Sequence, residues 1–247
     1  MAFRRAVAGV PPRVGSRRYG FRMSTEITVR GSFSAFQPPE LGTVHASIGY
    51  EGPEMEPVYD WVARDLEAVK SSVASLKNGD DGPVTWWSAE QLRTWSNRPW
   101  NQDGEQLPLV HHASVGIKVK FRDFTALSRW VGEHIGNTDG FRVSHVEWAL
   151  TSKRRDELIG QVRTQAVRDA AARAQQYADA LGLGKISPVA IADAGMLGVG
   201  LRPGDGDGIG YLRAGPVGAG GGADVELLPE DVEVSTAIDA RFVVEDA

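Results

Sequence analysis

The sequence predicts an α+β domain in which three helices pack on long antiparallel strands. Several long stretches alternate between polar and apolar residues, which is the period of a half-buried strand. Between them lie three stretches whose apolar residues recur at steps of three and four, the spacing of one helical face. The helices interrupt strands that follow one another directly, an order typical of α+β domains.

The first predicted elements are two strands and a helix. One strand begins at Glu26 and ends at residues 37–39, Gln-Pro-Pro. A second strand over residues 43–51 follows at once, so we expect the two to form a hairpin. Pro53 opens a helix, and residues 78–79, Asn-Gly, end it. The apolar positions of this helix are Val58, Val62, Leu66, Val69, Val73 and Leu76.

The middle of the chain predicts two further strands and a shorter helix. Residues 84–100 favour one long, bent strand, and residues 101–104, Asn-Gln-Asp-Gly, favour a turn. Residues 109–121 alternate clearly and predict a strand. Asp123 then caps a helix. The apolar positions of that helix are Leu127, Trp130, Val131 and Ile135.

The next strand and the longest helix are the most legible part of the sequence. In the strand over residues 140–150 the apolar face changes parity between Val143 and Val146, which predicts a β-bulge. Ser152 can cap the long helix that follows, and Gly182 supplies its left-handed stop. The apolar stripe of this helix is Leu158, Val162, Ala166, Ala170, Ala174, Ala178 and Leu181. So many alanines suit a helix that lies flat on a sheet.

Two strands flank a glycine-rich stretch at the end of the chain. A strand covers residues 185–191, and residues 193–228 predict a mobile loop because their composition cannot hold a core. Residues 231–244 form the cleanest strand. Its inward residues are Val232, Val234, Thr236, Ile238, Ala240, Phe242 and Val244, and its outward residues are Asp231, Glu233, Asp239 and Arg241. An exposed edge on strands this long invites another chain, so we expect a homo-oligomer.

Composition excludes several classes of function. The 247 residues contain no Cys, which removes disulfides, thiolate zinc sites and cysteine nucleophiles. No apolar run reaches the roughly 18 residues needed to span a bilayer. Beyond the first 23 residues, 21 Lys and Arg stand against 32 Asp and Glu, a net charge of −11. This negative charge on residues 24–247 repels phosphate backbones, so we expect no nucleic-acid partner.

The first 23 residues differ from the rest because they contain six Arg and no acidic residue. We expect residues 1–23 to be a disordered tail or an over-extended start ahead of Met23, with an organelle transit peptide as the third alternative. They lack the apolar core of a secretory signal, so we expect a cytoplasmic protein. Residues 24–247 are predicted to form a single domain.

Three stretches carry a resemblance to a known family. They are residues 27–31 with 35–41 (ITVRG and AFQPPEL), residues 119–124 (VKFRDF), and the helix and exit strand over residues 166–186. In this order and spacing they resemble the SIMPL-like domain family. That family includes bacterial envelope proteins linked to oxidative-stress defence, immunogenic periplasmic proteins and an animal adaptor that binds an interleukin-receptor-associated kinase.

The resemblance implies an α+β fold, self-assembly and no established enzymatic activity, and it supplies no catalytic residue. This sequence departs from the family pattern in two ways. It lacks the export signal common among the bacterial members, and its glycine-rich loop before the last strand is longer. The function that this resemblance indicates is that of a non-enzymatic, self-assembling protein, which acts as a binding scaffold or a stress-associated scaffold and has no cofactor. The alternatives are a small-molecule or metal binder or enzyme, and a signalling adaptor.

Few residues suggest chemistry. Neighbours on a strand point to opposite faces, so Ser144 and His145 cannot form a nucleophile and base pair directly. His145 and Glu147 match the start of a zinc deaminase motif, but the cysteines that complete that site are missing.

His111 and His112 diverge across one strand and cannot chelate one ion alone. His45 and His112 both face outward and could meet between paired strands, which is the metal-site alternative. The acidic glycine-rich residues 204–210 lack the Glu of a calcium loop and the Lys of a phosphate loop.

Four tryptophans crowd one region of the sequence: Trp86, Trp87, Trp95 and Trp100. Core or hairpin packing explains such a cluster, but aromatic residues are also enriched where proteins meet partners. We therefore name these four as the candidate interface.

Overall fold

The computed structural model describes residues 24–79, 81–197 and 227–244. Within these residues three helices and two antiparallel sheets confirm the α+β class. The elements are β1 (Glu26–Gln37), β2 (Leu41–Gly52), α1 (Met55–Leu76), β3 (Val84–Ala89), β4 (Arg93–Asn97), β5 (Val110–Phe121), α2 (Phe124–Asn137), β6 (Phe141–Ala149), α3 (Ser152–Ala180), β7 (Ile186–Asp193) and β8 (Val232–Val244). No helix in this part of the chain is long and apolar enough to cross a membrane.

The strands divide between a terminal sheet, in the order β1-β8-β7, and a five-stranded sheet, in the order β3-β5-β2-β6 with β4 also paired to β5. The predicted hairpin of the first two strands is therefore wrong. β1 pairs along its length with β8, and β2 lies between β5 and β6. Pro38 and Pro39 hold the connection extended, so the chain passes into the second sheet instead of turning back.

The five-stranded sheet is built from the run β2-α1-β3-β4-β5-α2-β6, in which both helices pack on one face. The predicted face of α1 is confirmed, since Val58, Val62, Val69 and Val73 are buried against the sheet. Asp123 caps α2 as predicted, with its side chain accepting a hydrogen bond from the Ala126 amide. The prediction for Ile135 is wrong because His134 takes the inward position and leaves Ile135 exposed.

The terminal sheet carries α3 on one face. Its stripe from Leu158 to Ala178 is buried as predicted, although Leu181 is exposed. The N-cap is Thr151 and not Ser152, because the Thr151 hydroxyl accepts the Arg154 amide. Gly182 adopts a φ of 68°, and the amides of Gly182 and Leu183 bond back to Asp179 and Ala178 in a Schellman motif, as the glycine stop predicts.

Residues 84–100 form two strands instead of one bent strand. β3 pairs with the end of β5 and β4 with its beginning, and residues 90–92 interrupt the ladder between them. The predicted bulge in β6 is confirmed. The register passes from His45 opposite His145 to Ala46 opposite Val143, so Ser144 has no partner in the ladder.

Asp239 lies on the face of the terminal sheet away from α3, as predicted, but it is buried there. Its carboxylate accepts hydrogen bonds from the Arg30 guanidinium at 2.9 Å and from the Gly195 amide at 2.7 Å. These bonds hold the pKa of Asp239 below its usual range, with Arg30 the largest cause. The predicted tail over residues 1–23, the motif at residues 204–210 and most of the loop over residues 193–228 lie outside the described residues.

Candidate functional site

The face of the five-stranded sheet opposite α1 and α2 is polar, and we call it the open face. Paired residues on neighbouring antiparallel strands share a face, so the register identifies the side chains that project from it. They include Thr43, His45, Ser47, Glu51, Trp86, Ser88, Arg93, Trp95, Asn97, His112, Ser114, Lys118, Lys120, Arg142, His145 and Glu147. This face holds most of the sequence's candidate residues.

The predicted meeting of His45 and His112 does not occur. His45 lies opposite Lys118, and His112 lies opposite Glu51. The six residue steps from His112 to Lys118 correspond to about 20 Å along β5, at roughly 3.3 Å per step. The sequence placed both histidines on the correct face but could not give the register that separates them.

His45 instead contacts His145 on β6. Their rings stack with centroids 4.2 Å apart and planes inclined by 15°, and Nε2 of His45 lies 3.3 Å from Oε2 of Glu147. Burial lowers the pKa of His45, while the Glu147 carboxylate opposes this effect. Sequence reasoning missed the pair because the bulge at Ser144 decides which residue of β6 stands opposite His45.

His112 belongs to a second group, about 20 Å away. Trp95 stacks on its ring at a centroid distance of 5.0 Å and an angle of 4°. The Nε2 atom of His112 lies 2.6 Å from the Asn97 side-chain oxygen, and Nδ1 lies 3.4 Å from the Glu51 carboxylate. These contacts fix the imidazole from three sides and hold Trp95 flat against the sheet.

The four tryptophans do not form one cluster. Trp86 and Trp95 lie on the open face and are 45% and 49% exposed. Lys120 places its ammonium group over the Trp86 ring, 5.7 Å from the centroid. Trp87 faces the opposite way and packs on the core, and Trp100 lies beyond β4, where it bridges to Gln106. Only two of the four predicted interface residues therefore share a surface.

A serine and a histidine do meet, but not the pair weighed in the sequence. The Ser96 hydroxyl lies 2.7 Å from Nδ1 of His111, its cross-strand partner. In the described part of the chain no carboxylate bonds to the other ring nitrogen of His111, so the third member of a triad is missing there. Nor do three His, Asp or Glu side chains converge as a metal cluster anywhere in residues 24–79, 81–197 and 227–244.

The free edge of β1 is the other feature that invites a ligand. The Ser32 amide points away from β8 and donates a 3.0 Å hydrogen bond to Asp169 on α3. That bond lowers the pKa of Asp169, and Arg173 adds to the effect. Farther along the edge lies a shallow groove of about 370 Å³, lined by Phe33, Ala35, Gln161, Val162, Thr164 and Gln165.

Comparison with known proteins identifies the family to which the chain belongs. A family model described as SIMPL, a protein of unknown function (DUF541), matches residues 27–242. The chain belongs to the SIMPL family. No curated protein was found to match it.

The SIMPL match runs from β1 into β8 and therefore includes both sheets. The description of the family assigns no activity. In this SIMPL protein the open face and the β1 edge must therefore be judged by their own geometry. The open face offers aromatic rings and charged groups to a partner, whereas the β1 edge offers backbone hydrogen bonds.

Proposed function

We propose that this SIMPL protein is a non-enzymatic scaffold that assembles with further copies of itself through the free edge of β1. The observation that carries the proposal is a regular strand of twelve residues, Glu26–Gln37, which stands at the edge of its sheet among the strands of residues 24–79, 81–197 and 227–244. A long, regular edge is a template for pairing with another strand.

Backbone parity supports the second half of this edge as the point of contact. Because the Ser32 amide faces outward, the amides of Ser34 and Phe36 face outward as well, since direction alternates along an antiparallel strand. Asp169 occupies the Ser32 amide only. Beside Ser34, the exposed ring of Phe33 opens onto the groove, so an added strand gains both hydrogen bonds and apolar contact.

The other edges of the described sheets are less suited to pairing. β7 contains Pro188 and an irregularity between Pro188 and Ala190, and Gln175 of α3 accepts its Ile186 amide. β6 is broken by the bulge at Ser144, and β3 and β4 have only six and five residues. Proline, bulges and shortness are the devices that protect edges.

The position of α3 fits a pairing of two β1 strands. α3 packs over both β1 and β8. With strands about 4.8 Å apart, continuing the sheet through β1 would place the α3 helices of two copies about 10 Å apart. This is close to the usual interaxial distance of packed helices, about 8–10 Å. Strand pairing would therefore bring the helices into contact without rearrangement.

The experiment compares two proline variants on the same edge. We expect Ser34→Pro to shift native mass spectra of the full chain from oligomer to monomer, because it removes an outward amide beside the groove. Thr28→Pro is the matched control, since its amide also faces outward but lies at the other end of the strand. A wild-type chain that is strictly monomeric at micromolar concentration would disprove the proposal.

A second candidate function is partner binding, the adaptor alternative, and the exposed Trp86 and Trp95 on the open face favour it. Binding there would bury both rings. We expect Trp86→Ala and Trp95→Ala to weaken capture of a partner protein, while Trp100→Ala leaves capture unchanged because Trp100 lies off this face. Equal loss in all three variants would count against the open face.

A further inference from the structure

The stacked histidines of the open face offer two nitrogen ligands from neighbouring strands. His45 and His145 stand directly opposite each other on β2 and β6, where Cβ atoms are about 4.5–5.5 Å apart. Their rings are stacked, with centroids 4.2 Å apart. Glu147 adds a carboxylate from the same face of β6, 3.3 Å from Nε2 of His45. The cluster is independent of the β1 edge.

This donor set suits a transition-metal ion. Imidazole nitrogens bind Zn²⁺ at about 2.0–2.1 Å, so two of them on one tetrahedral ion lie roughly 3.3 Å apart. In the stack, with centroids 4.2 Å apart and planes inclined by 15°, the in-plane lone pairs of the two rings do not meet, so both rings must turn out of the stack to share an ion. As they stand, the three groups do not converge on one point. The Glu147 side chain is 62% exposed, so it is free to turn toward an ion held by the two rings.

We propose that His45, His145 and Glu147 bind one divalent ion of the zinc and copper class, with water completing the coordination. Two imidazoles and a carboxylate select such ions over Mg²⁺ and Ca²⁺, which prefer oxygen ligands. The register shift at Ser144 builds the site, because it brings His145 opposite His45 and keeps Glu147 on the same face.

Lys118 sets the strength of the site. It is the cross-strand partner of His45 on β5, and its ammonium group lies 4.0 Å from Glu90, on the side away from β6. A fixed positive charge beside the histidines repels a divalent ion. We therefore expect weaker binding than in a closed four-ligand site, and tighter binding in Lys118→Met.

The experiment is calorimetric titration of the metal-free full chain with ZnCl₂. We expect one site in the wild type, with affinity at least about tenfold lower in His45→Ala and in His145→Ala, because each loses a direct ligand. His112→Ala is the matched control. It removes a histidine from the same face that also has a carboxylate neighbour, and binding should be unchanged.

A spectroscopic measurement separates lost ligation from lost folding. Electron paramagnetic resonance of the Cu²⁺ complex should show two coupled nitrogens in the wild type and fewer in His145→Gln, which keeps a polar side chain at the position. The proposal is overturned if the wild type binds no Zn²⁺ at millimolar concentration. It is also overturned if both single variants bind as the wild type does, or if His112→Ala abolishes binding.

Discussion

The Ser72 hydroxyl joins two aromatic side chains between α1 and α2. Nε1 of Trp130 donates to it at 2.9 Å, and Nε2 of His134 lies 2.8 Å away. The hydroxyl itself donates to the Val69 carbonyl at 2.8 Å. A hydroxyl has one proton and two acceptor positions, so this arrangement is satisfied when His134 carries its proton on Nε2. Burial lowers the pKa of His134, although the nearby Glu133 opposes the effect.

This histidine predicts a loss of stability in acid. Because its folded pKa is depressed, its stabilising contribution is full above the unfolded pKa of about 6.5 and is lost as pH falls through the folded pKa. We expect the free energy of unfolding, measured in urea from pH 8 to pH 5, to fall less steeply for His134→Gln than for the wild type. Identical slopes would contradict this assignment.

The half-buried phenol of Tyr50 leads to a second prediction at the scale of single residues. The Tyr50 hydroxyl donates to Asp65 on α1 at 2.5 Å and accepts the Gly140 amide at 3.0 Å, so it joins α1, β2 and the turn before β6. Tyr50→Phe leaves the amide and the largely buried carboxylate with fewer partners, and should cost about 1–3 kcal/mol of unfolding free energy. Tyr59→Phe, on the exposed side of α1, is the control and should cost almost nothing.

At the scale of elements, Gly31 sets how closely α3 approaches the terminal sheet. A Cβ atom there would lie 2.1 Å from the Ala166 carbonyl oxygen and 2.7 Å from the Ala170 amide nitrogen. Both are backbone atoms of the helix, so a side chain must displace the whole element. The alanine stripe read from the sequence thus has its counterpart in a glycine on β1.

Two glycine substitutions test this contact. Gly31→Ala should lower the free energy of unfolding by about 3 kcal/mol, the upper end of the usual cost of overpacking, because the clashing atoms belong to the helix backbone. Gly160→Ala, within α3 itself, meets no neighbouring atom and should raise stability by about 0.5–1 kcal/mol through helix propensity. Urea unfolding of both variants measures the difference, and similar effects would mean that the close approach is unimportant.

The elements could be predicted from sequence because their signals are local. The 3.6-residue stripe of α3, the glycine stop at Gly182 and the parity change before Val146 each depend on a few neighbouring residues. Strand pairing depends on residues far apart, so the partner of β1 was predicted wrongly. The candidate site failed for the same reason. His45 was correctly placed on the outward face, but only the register reveals its neighbour as His145 instead of His112.

On the scale of the whole molecule, the two sheets share no buried cluster in the described residues. α3 packs on β1, β7 and β8, whereas α1 and α2 pack on strands of the five-stranded sheet. The buried residues of the five-stranded sheet form one cluster, and those under α3 form two others that share none of its residues. The two sheets therefore have separate sources of stability.

Hydrogen exchange of the full chain can test this separation. In Gly31→Ala we expect faster amide exchange in β1, β7 and β8, because α3 no longer packs closely on these strands. Exchange in β5 should stay at the wild-type rate, since its cover is α1 and α2. An equal rise in β5 would show that the two sheets open together.

The pairing of β1 with β8 also matters for the order in which the chain is made. Arg30 and Asp239, which bond across this pair, are 209 positions apart. At roughly 5–20 residues per second, a ribosome needs on the order of 10–40 s to deliver β8 after β1. The five-stranded sheet is complete much earlier, at Ala149. Until β8 has been made, β1 has no strand partner on either side. A nascent chain on a neighbouring ribosome of the same messenger RNA can therefore pair with β1 before β8 of the same chain does.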